Sequence, residues 1–230
     1  PSGTNFRVCL AEVDGNPAVA WCDGLNLYYR RATSPGGDTA GEWTDPIAVI
    51  DDSGFAAGPP SLAIINGNPA VAYYNDFTGR LHFLRAQNST GALIGDWPAN
   101  GVQVSPAGSN PNVFCTLLEV NGNPAICYPD NNTGSMVFLR AEDTDGLNWP
   151  PDTVKVGALF GPTPGYNDMV IVNGVPAMAY LDFYPIFSAW FCMAEDPNGS
   201  SWNDPMPIRL DPGAAAGEYI NMLVQNGQPY

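Results

Sequence analysis

Asn66-Gly67-Asn68-Pro69-Ala70-Val71-Ala72-Tyr73 decides how the rest of the chain is read. An Asn-Gly pair between apolar runs is the strongest short hairpin signal, because both residues tolerate a positive φ. The tetrad beginning at Gly67 recurs as Gly15-Asn16-Pro17-Ala18, Gly122-Asn123-Pro124-Ala125 and Gly174-Val175-Pro176-Ala177, and starts again at Gly227-Gln228-Pro229. From glycine to glycine the steps are 52, 55, 52 and 53 residues. Two further markers keep the same phase. One is Arg31-Ala32, Arg85-Ala86, Arg140-Ala141 and Met193-Ala194; the other is Trp43, Trp97, Trp149 and Trp202. Three markers in step through four copies define an internal repeat.

Each copy reads as four short strands. An apolar run such as Ser61 to Ile65 enters the turn, and Ala18-Val19-Ala20-Trp21 leaves it, becoming Ala70-Val71-Ala72-Tyr73, Ala125-Ile126-Cys127-Tyr128 and Ala177-Met178-Ala179-Tyr180. Small residues alternating with large ones imply a close neighbour on the small face. A third strand carries an aromatic at Tyr29, Phe83, Phe138 and Phe191, and a fourth is visible in Pro46 to Ile50 and Pro207 to Leu210. No segment holds a helical period over 11 or more residues. Tandem four-stranded antiparallel units of this size predict the blades of an all-β propeller. The chain is expected to hold four full repeats of about 53 residues and the start of a fifth, as a single β-propeller domain over 1–230 or part of one. The expected blades cover about 6–52, 59–106, 113–160 and 166–212, with a partial blade at 218–230. First strands Arg7–Val13, Ser61–Ile65, Cys115–Val120, Asp168–Val172 and Ile220–Val224 then line a central channel. Completion of the ring is expected from a longer chain or from self-association.

Composition narrows the partners. Charged residues make up 13% of 230, and 8 Lys plus Arg against 23 Asp plus Glu leave a net charge of -15. Such a surface repels nucleic acid and anionic membranes. No run of 18 apolar residues offers a membrane helix, so membrane insertion is not expected. The opening Pro1-Ser2-Gly3-Thr4-Asn5-Phe6 has neither the basic nor the apolar region of a signal peptide, and any export signal is expected to lie outside this chain.

The connections Asp143-Thr144-Asp145-Gly146-Leu147-Asn148-Trp149 and Asp196-Pro197-Asn198-Gly199-Ser200-Ser201-Trp202 resemble degenerate Asp-box turns of sialidase-type propellers, whose pattern is Ser-x-Asp-x-Gly-x-x-Trp. Counted from the tryptophans, Thr144 and Pro197 stand where that family has its Asp, and the first two copies keep only Trp43 and Trp97. The resemblance implies the propeller fold, of a bacterial, non-catalytic type, with the boxes as structural elements on the face opposite the active site. The family's three arginines with a Tyr/Glu pair find no match in spacing. Arg31, Arg85 and Arg140 occupy one repeat position and are expected to be structural.

Candidate chemistry lies among polar residues at repeat positions. Eight residues after the marker glycine, where the second strand ends, stand Asp23, Asn75, Asp130 and Asp182. Six before it, where the first strand starts, stand Cys9, Ser61, Thr116, Asp168 and Asn221. Propeller topology puts both sets on one face, the usual ligand face. Carboxylate and amide oxygens suit sugar hydroxyls or a hard cation, so a glycan is the expected ligand and calcium the candidate cofactor. The alternative is that the Asp and Asn set closes Asx-turns by accepting local N–H bonds. Glu12 and Glu119 replace apolar residues on first strands and offer the one carboxylate pair for a glycosidase-type reading. His82, the only histidine, falls at a packing position, which leaves no Ser-His-Asp triad or multi-histidine zinc site. Five cysteines show no CxxC spacing; Cys9 and Cys22 flank one hairpin and are the one pair considered for a disulfide.

The resulting expectation is a secreted or cell-surface propeller that is not an enzyme and recognises a glycan or protein partner through its acidic face. A structural module of a larger surface protein and a glycoside hydrolase-like propeller are the alternatives.

Overall fold

A computed structural model describes residues 8–49, 56–158, 164–182, 188–202, 208–210 and 219–230. The hairpin dipeptides take the conformation their chemistry permits. Asp14, Asn66, Asn121, Asn173 and Asn226 lie at φ of 46–52°, each followed by a glycine at 73–83°. Two successive positive φ values make the tight turn whose twist matches that of paired strands.

These turns join the first two strands of every sheet. The first sheet contains β1 (Val8–Val13), β2 (Asn16–Cys22), β3 (Leu27–Arg31) and β4 (Ile47–Ala48). The second has β5 (Ala56–Ile65), β6 (Asn68–Asn75), β7 (Arg80–Arg85) and β8 (Val102–Gln103). In the third are β9 (Thr116–Val120), β10 (Asn123–Asp130), β11 (Ser135–Arg140) and β12 (Val154–Ala158), and in the fourth β13 (Pro164–Val172), β14 (Val175–Asp182), β15 (Ser188–Met193) and β16 (Ile208–Arg209). A last hairpin pairs β17 (Val224–Gln225) with β18 (Gln228–Pro229). Every sheet is an antiparallel meander in chain order. Strand β1 neighbours β5, β5 neighbours β9, β9 neighbours β13, and β13 neighbours the last hairpin. First strands side by side and sheets radiating from them make a β-propeller.

Three expected first strands are drawn differently. β13 begins at Pro164, ahead of the anticipated Asp168 and of the blade start at 166, and its register shifts between Pro164 and Asn167. β5 begins at Ala56, ahead of the anticipated blade start at 59, and bulges between Ala57 and Ser61, where Gly58 has φ 77° and two prolines follow. Ile220–Val224 is not a strand over its length: Leu223 and Tyr230 exchange backbone hydrogen bonds, and Ile220 to Met222 extend past that last pair. Arg7, Ile50 and Pro207, included in expected strands, lie outside the described residues.

The core sits between blades, not within them. The small face of one blade, Ala70 and Ala72 with Phe83, meets the bulky face of the next, Ile126, Tyr128, Val137 and Leu139. The same match joins Ala18, Ala20 and Tyr29 to Val71, Tyr73 and Leu84, and Ala125, Cys127 and Phe138 to Met178 and Tyr180. Alternation along the second strand therefore records which neighbour each face touches.

Three of the joints are each closed by a tryptophan from the following blade. Trp97 packs on Tyr29 at 5.1 Å between ring centroids, Trp149 on Phe83 at 5.6 Å and Trp202 on Phe138 at 5.3 Å. Burying one such ring is worth roughly 2–3 kcal/mol in transfer free energy. Indole N–H groups donate to Gly91, Gly146 and Gly199 carbonyls at 2.8, 2.8 and 3.0 Å, so the polar atom of each wedge is satisfied. Glycine is required beside the rings: a Cβ on Gly146 would stand 2.4 Å from Phe83 Cε1, and one on Gly199 2.6 Å from Phe138 Cε1.

Candidate binding site at the channel mouth

The five residues six before the marker glycines come together. Cys9, Ser61, Thr116, Asp168 and Asn221 all line one cavity of about 550 Å3 at the mouth of the channel. Four of them, Ser61, Thr116, Asp168 and Asn221, are the first-strand candidates of the sequence. They also stitch neighbouring blades. Ser61 Oγ accepts from Leu117 N at 2.9 Å, Thr116 Oγ1 donates to Asn167 Oδ1 at 2.9 Å, and Asp168 Oδ2 accepts from Met222 N at 2.7 Å. Each bond leaves lone pairs or a hydroxyl proton for a ligand.

Asp168 is the only carboxylate among the described residues lining this cavity. Burial raises its pKa above the usual carboxylate range, and the N–H groups of Met222 and Met169 offset part of that shift. One carboxylate with amide, hydroxyl and thiol neighbours can accept and donate hydrogen bonds. Among the described residues lining the cavity there is no second carboxyl group of the kind that pairs with the first in glycoside hydrolysis. Cys9 and Cys115 add no nucleophile: burial pushes both thiols up to about 12.

The second-strand candidates occupy the same end of the blades, within the hairpin turns. Asp23 Oδ1 accepts from Leu25 N and Asn26 N at 2.9 and 2.7 Å; Asn75 Oδ1 accepts from Phe77 N and Thr78 N at 3.0 Å each. Asp130 Oδ1 accepts from Asn110 N and Asn132 N at 2.9 and 3.0 Å. Asp182 is buried at the end of β14. The Asx-turn chemistry accounts for Asp23, Asn75 and Asp130, and none of the four lines the mouth cavity. Among the described residues no group of three or more His, Cys, Asp and Glu is arranged to hold a metal ion.

Sequence reasoning missed a set of rings at this mouth. Phe114 and Tyr166 stand 4.3 Å apart between centroids, and Tyr166 and Tyr219 stand 4.5 Å apart. All three line the same cavity and belong to three successive blades. The signal was present: each lies eight residues before a marker glycine, at Gly122, Gly174 and Gly227.

At the opposite end the groups are structural. Arg31, Arg85 and Arg140 direct Nε at the carbonyls of Val13, Ile65 and Val120, each at 2.8 Å, and clamp the first hairpin of their own blade. The Asp-box-like turns lie at this end too, since Asn66 Nδ2 donates to Thr144 O at 2.7 Å and Asn121 Nδ2 to Asn198 Oδ1 at 2.7 Å. Their carboxylates stand one residue before the box position. Asp143 accepts from Asp145, Leu147 and Asn148, and Asp196 from Asn198 and Ser201, which the count back from tryptophan did not reveal. Glu119 accepts from Asn66 N in the neighbouring blade, and neither it nor Glu12 lines the mouth. The considered Cys9–Cys22 bridge is absent, because the register sets Cys9 opposite Ala20; all five cysteines are free. His82 is buried beside Tyr73, as a packing residue.

No family model matches the chain, and no curated protein is similar to it. Solved structures share its fold. An α-L-arabinofuranosidase from Clostridium thermocellum superposes with a TM-score of 0.59 at 12% identity, over 99% of this chain and 81% of that one. A thermostable family-43 glycoside hydrolase gives 0.58 at 14%, over 94% and 76%. For an exo-β-1,3-galactanase from Phanerochaete chrysosporium the score is 0.59 at 12%, over 89% of this chain and 49% of that one. Identities this low carry the propeller fold and no activity.

Proposed function

We propose that this protein is a glycan-binding propeller that holds sugar at the mouth of its channel without hydrolysing it. The observation that carries this reading is the convergence of Cys9, Ser61, Thr116, Asp168 and Asn221, one residue from each blade, on a single cavity. Convergent polar groups in a concave site of several hundred Å3 are what small-molecule recognition uses. A lone carboxylate supports binding over catalysis. Extracellular or cell-surface placement, where polymeric glycans are met, belongs to the same proposal, as does the kinship of its turns with non-catalytic Asp-box propellers.

The test is isothermal titration with a panel of neutral and acidic oligosaccharides, on the wild type and on Asn221→Ala. Saturable binding that Asn221→Ala weakens supports the proposal; binding by no member of the panel ends it. The likeness to glycoside hydrolases favours one second reading, hydrolysis. Reducing-sugar release from the same panel, lost in Asp168→Asn, would establish that reading in place of the first.

A further inference from the structure

We infer that Phe114, Tyr166 and Tyr219 form a stacking platform that selects glycans built of pyranose rings with an apolar C–H face. The inference rests on the glycan-binding reading and names the ligand class of that site.

A position that recurs with the same chemistry in three consecutive blades, eight residues before Gly122, Gly174 and Gly227, is either core or surface. Core aromatics of this fold are covered: Tyr29, Tyr73, Tyr128 and Tyr180 are at most 1% exposed. Phe114 and Tyr166 are half-buried, and Tyr219 keeps 63% of its surface in solvent. Three blades thus contribute apolar rings to an open rim. The rings touch in series, tilted by 52° and 30°, so they pack one upon the next as a single row that ends on the exposed Tyr219 and not as three separate contacts. In the second blade the equivalent residue is Pro59, which also lines the cavity and extends the apolar border.

The polar ring lies two residues further along the chain in each blade. Thr116, Asp168 and Asn221 follow Phe114, Tyr166 and Tyr219 at that interval, and both sets line the one cavity. Apolar strip and hydrogen-bonding groups therefore run in parallel around the mouth. A pyranose has the complementary division, with axial C–H bonds on a flat face and hydroxyls at its edge. Aromatic side chains supply large, rigid contact area at little entropic cost. A furanose is smaller and puckered and presents a poorer face to a flat ring. A platform spanning three blades also favours an oligosaccharide over a single sugar.

The test is titration of the whole chain with β-1,3-galactotriose and cellotriose as pyranose probes and α-1,5-arabinotriose as the furanose probe. Pyranose trisaccharides are expected to bind more tightly than the arabinotriose. Tyr219→Ala is expected to weaken them about ten-fold, which corresponds to about 1.4 kcal/mol, and Tyr219→Phe to leave them unchanged. Tyr219 is exposed, so the thermal midpoint of Tyr219→Ala should match the wild type; Tyr166→Ala serves as a second variant. Saturation-transfer NMR should place the ring C–H protons of the sugar, more than its hydroxymethyl protons, against the protein. If Asn221→Ala weakens binding while Tyr219→Ala and Tyr166→Ala do not, the platform is overturned and the glycan reading stands. If arabinotriose binds as tightly as the pyranose probes, the selectivity is overturned. If no trisaccharide binds the wild type, both fall together.

Discussion

The two ends of the propeller treat their repeat positions in opposite ways. At the end carrying the tight hairpins, the blades repeat the same parts: a residue at φ near 50° and a glycine in every one, a tryptophan wedge at three joints, and an arginine on two carbonyls in three of the four full blades. At the channel mouth the same register position holds Cys9, Ser61, Thr116, Asp168 and Asn221, five different residues. Repetition is what a joint needs when each blade must fit the next. Divergence at equivalent positions gives a ring several distinct hydrogen-bonding groups, which recognition of an asymmetric ligand requires.

That contrast can be broken most forcefully at a joint. Phe138→Ala, which empties the contact with Trp202, is expected to cost about 3–5 kcal/mol in urea unfolding, whereas Phe191→Ala at the half-exposed equivalent should cost about 1 kcal/mol. A similar result for both would deny that blade joints hold the stability. Gly146→Ala is expected to destabilise by about 2–4 kcal/mol through strain and overpacking against Phe83. Gly122→Ala, also at positive φ but with open space around it, should lose about 1–2 kcal/mol. Comparing the two unfolding midpoints separates the joint from the turn.

At the mouth smaller effects on folding are expected. Ser61→Ala removes the acceptor for Leu117 N and should cost about 1 kcal/mol, while Asn221→Ala should leave the midpoint within about 0.5 kcal/mol and act on ligand binding alone. The smallest expected effects are in acid, and they differ in sign between the two ends. Desolvation raises the pKa values of Asp143 and Asp196, but N–H donors from Leu147, Asn148, Asn198 and Ser201 together outweigh it and bring both below the usual range. Their stabilisation is present above the unfolded value and is lost as pH falls through the folded one. Burial raises the pKa of Asp168, so its contribution is full below the unfolded value and lost as pH rises through the folded one. Asp143→Asn and Asp196→Asn should flatten the acid limb of stability against pH, and Asp168→Asn should alter it in the reverse sense. A common sign for all three would erase the distinction.

Much of the architecture was legible because a turn with two positive φ values leaves few choices of residue, and Asn-Gly announces it. The strands, the blade count and a close neighbour on the small face followed. Less visible was the true cap of the box-like turns, because Asp143 and Asp196 fold the loop from one residue further back than the pattern places its Asp. The first-strand candidates were found by counting from a marker. The second-strand candidates were found in the same way, yet a count cannot show that Asp23, Asn75 and Asp130 turn their oxygens toward their own hairpins. The aromatic strip escaped notice because residues 52 to 53 apart become neighbours only after blades have been set around an axis.

The wedges also impose an order in time. Each ring is covered by a tryptophan that follows it in the chain by 64 to 68 residues, from Tyr29 to Trp97, Phe83 to Trp149 and Phe138 to Trp202. A blade leaving the ribosome first therefore has one oily flank bare until the next has been made, an interval of roughly 3–14 s at ordinary elongation rates. Synthesis and closure advance together, one blade behind, like a zip whose slider trails the hand.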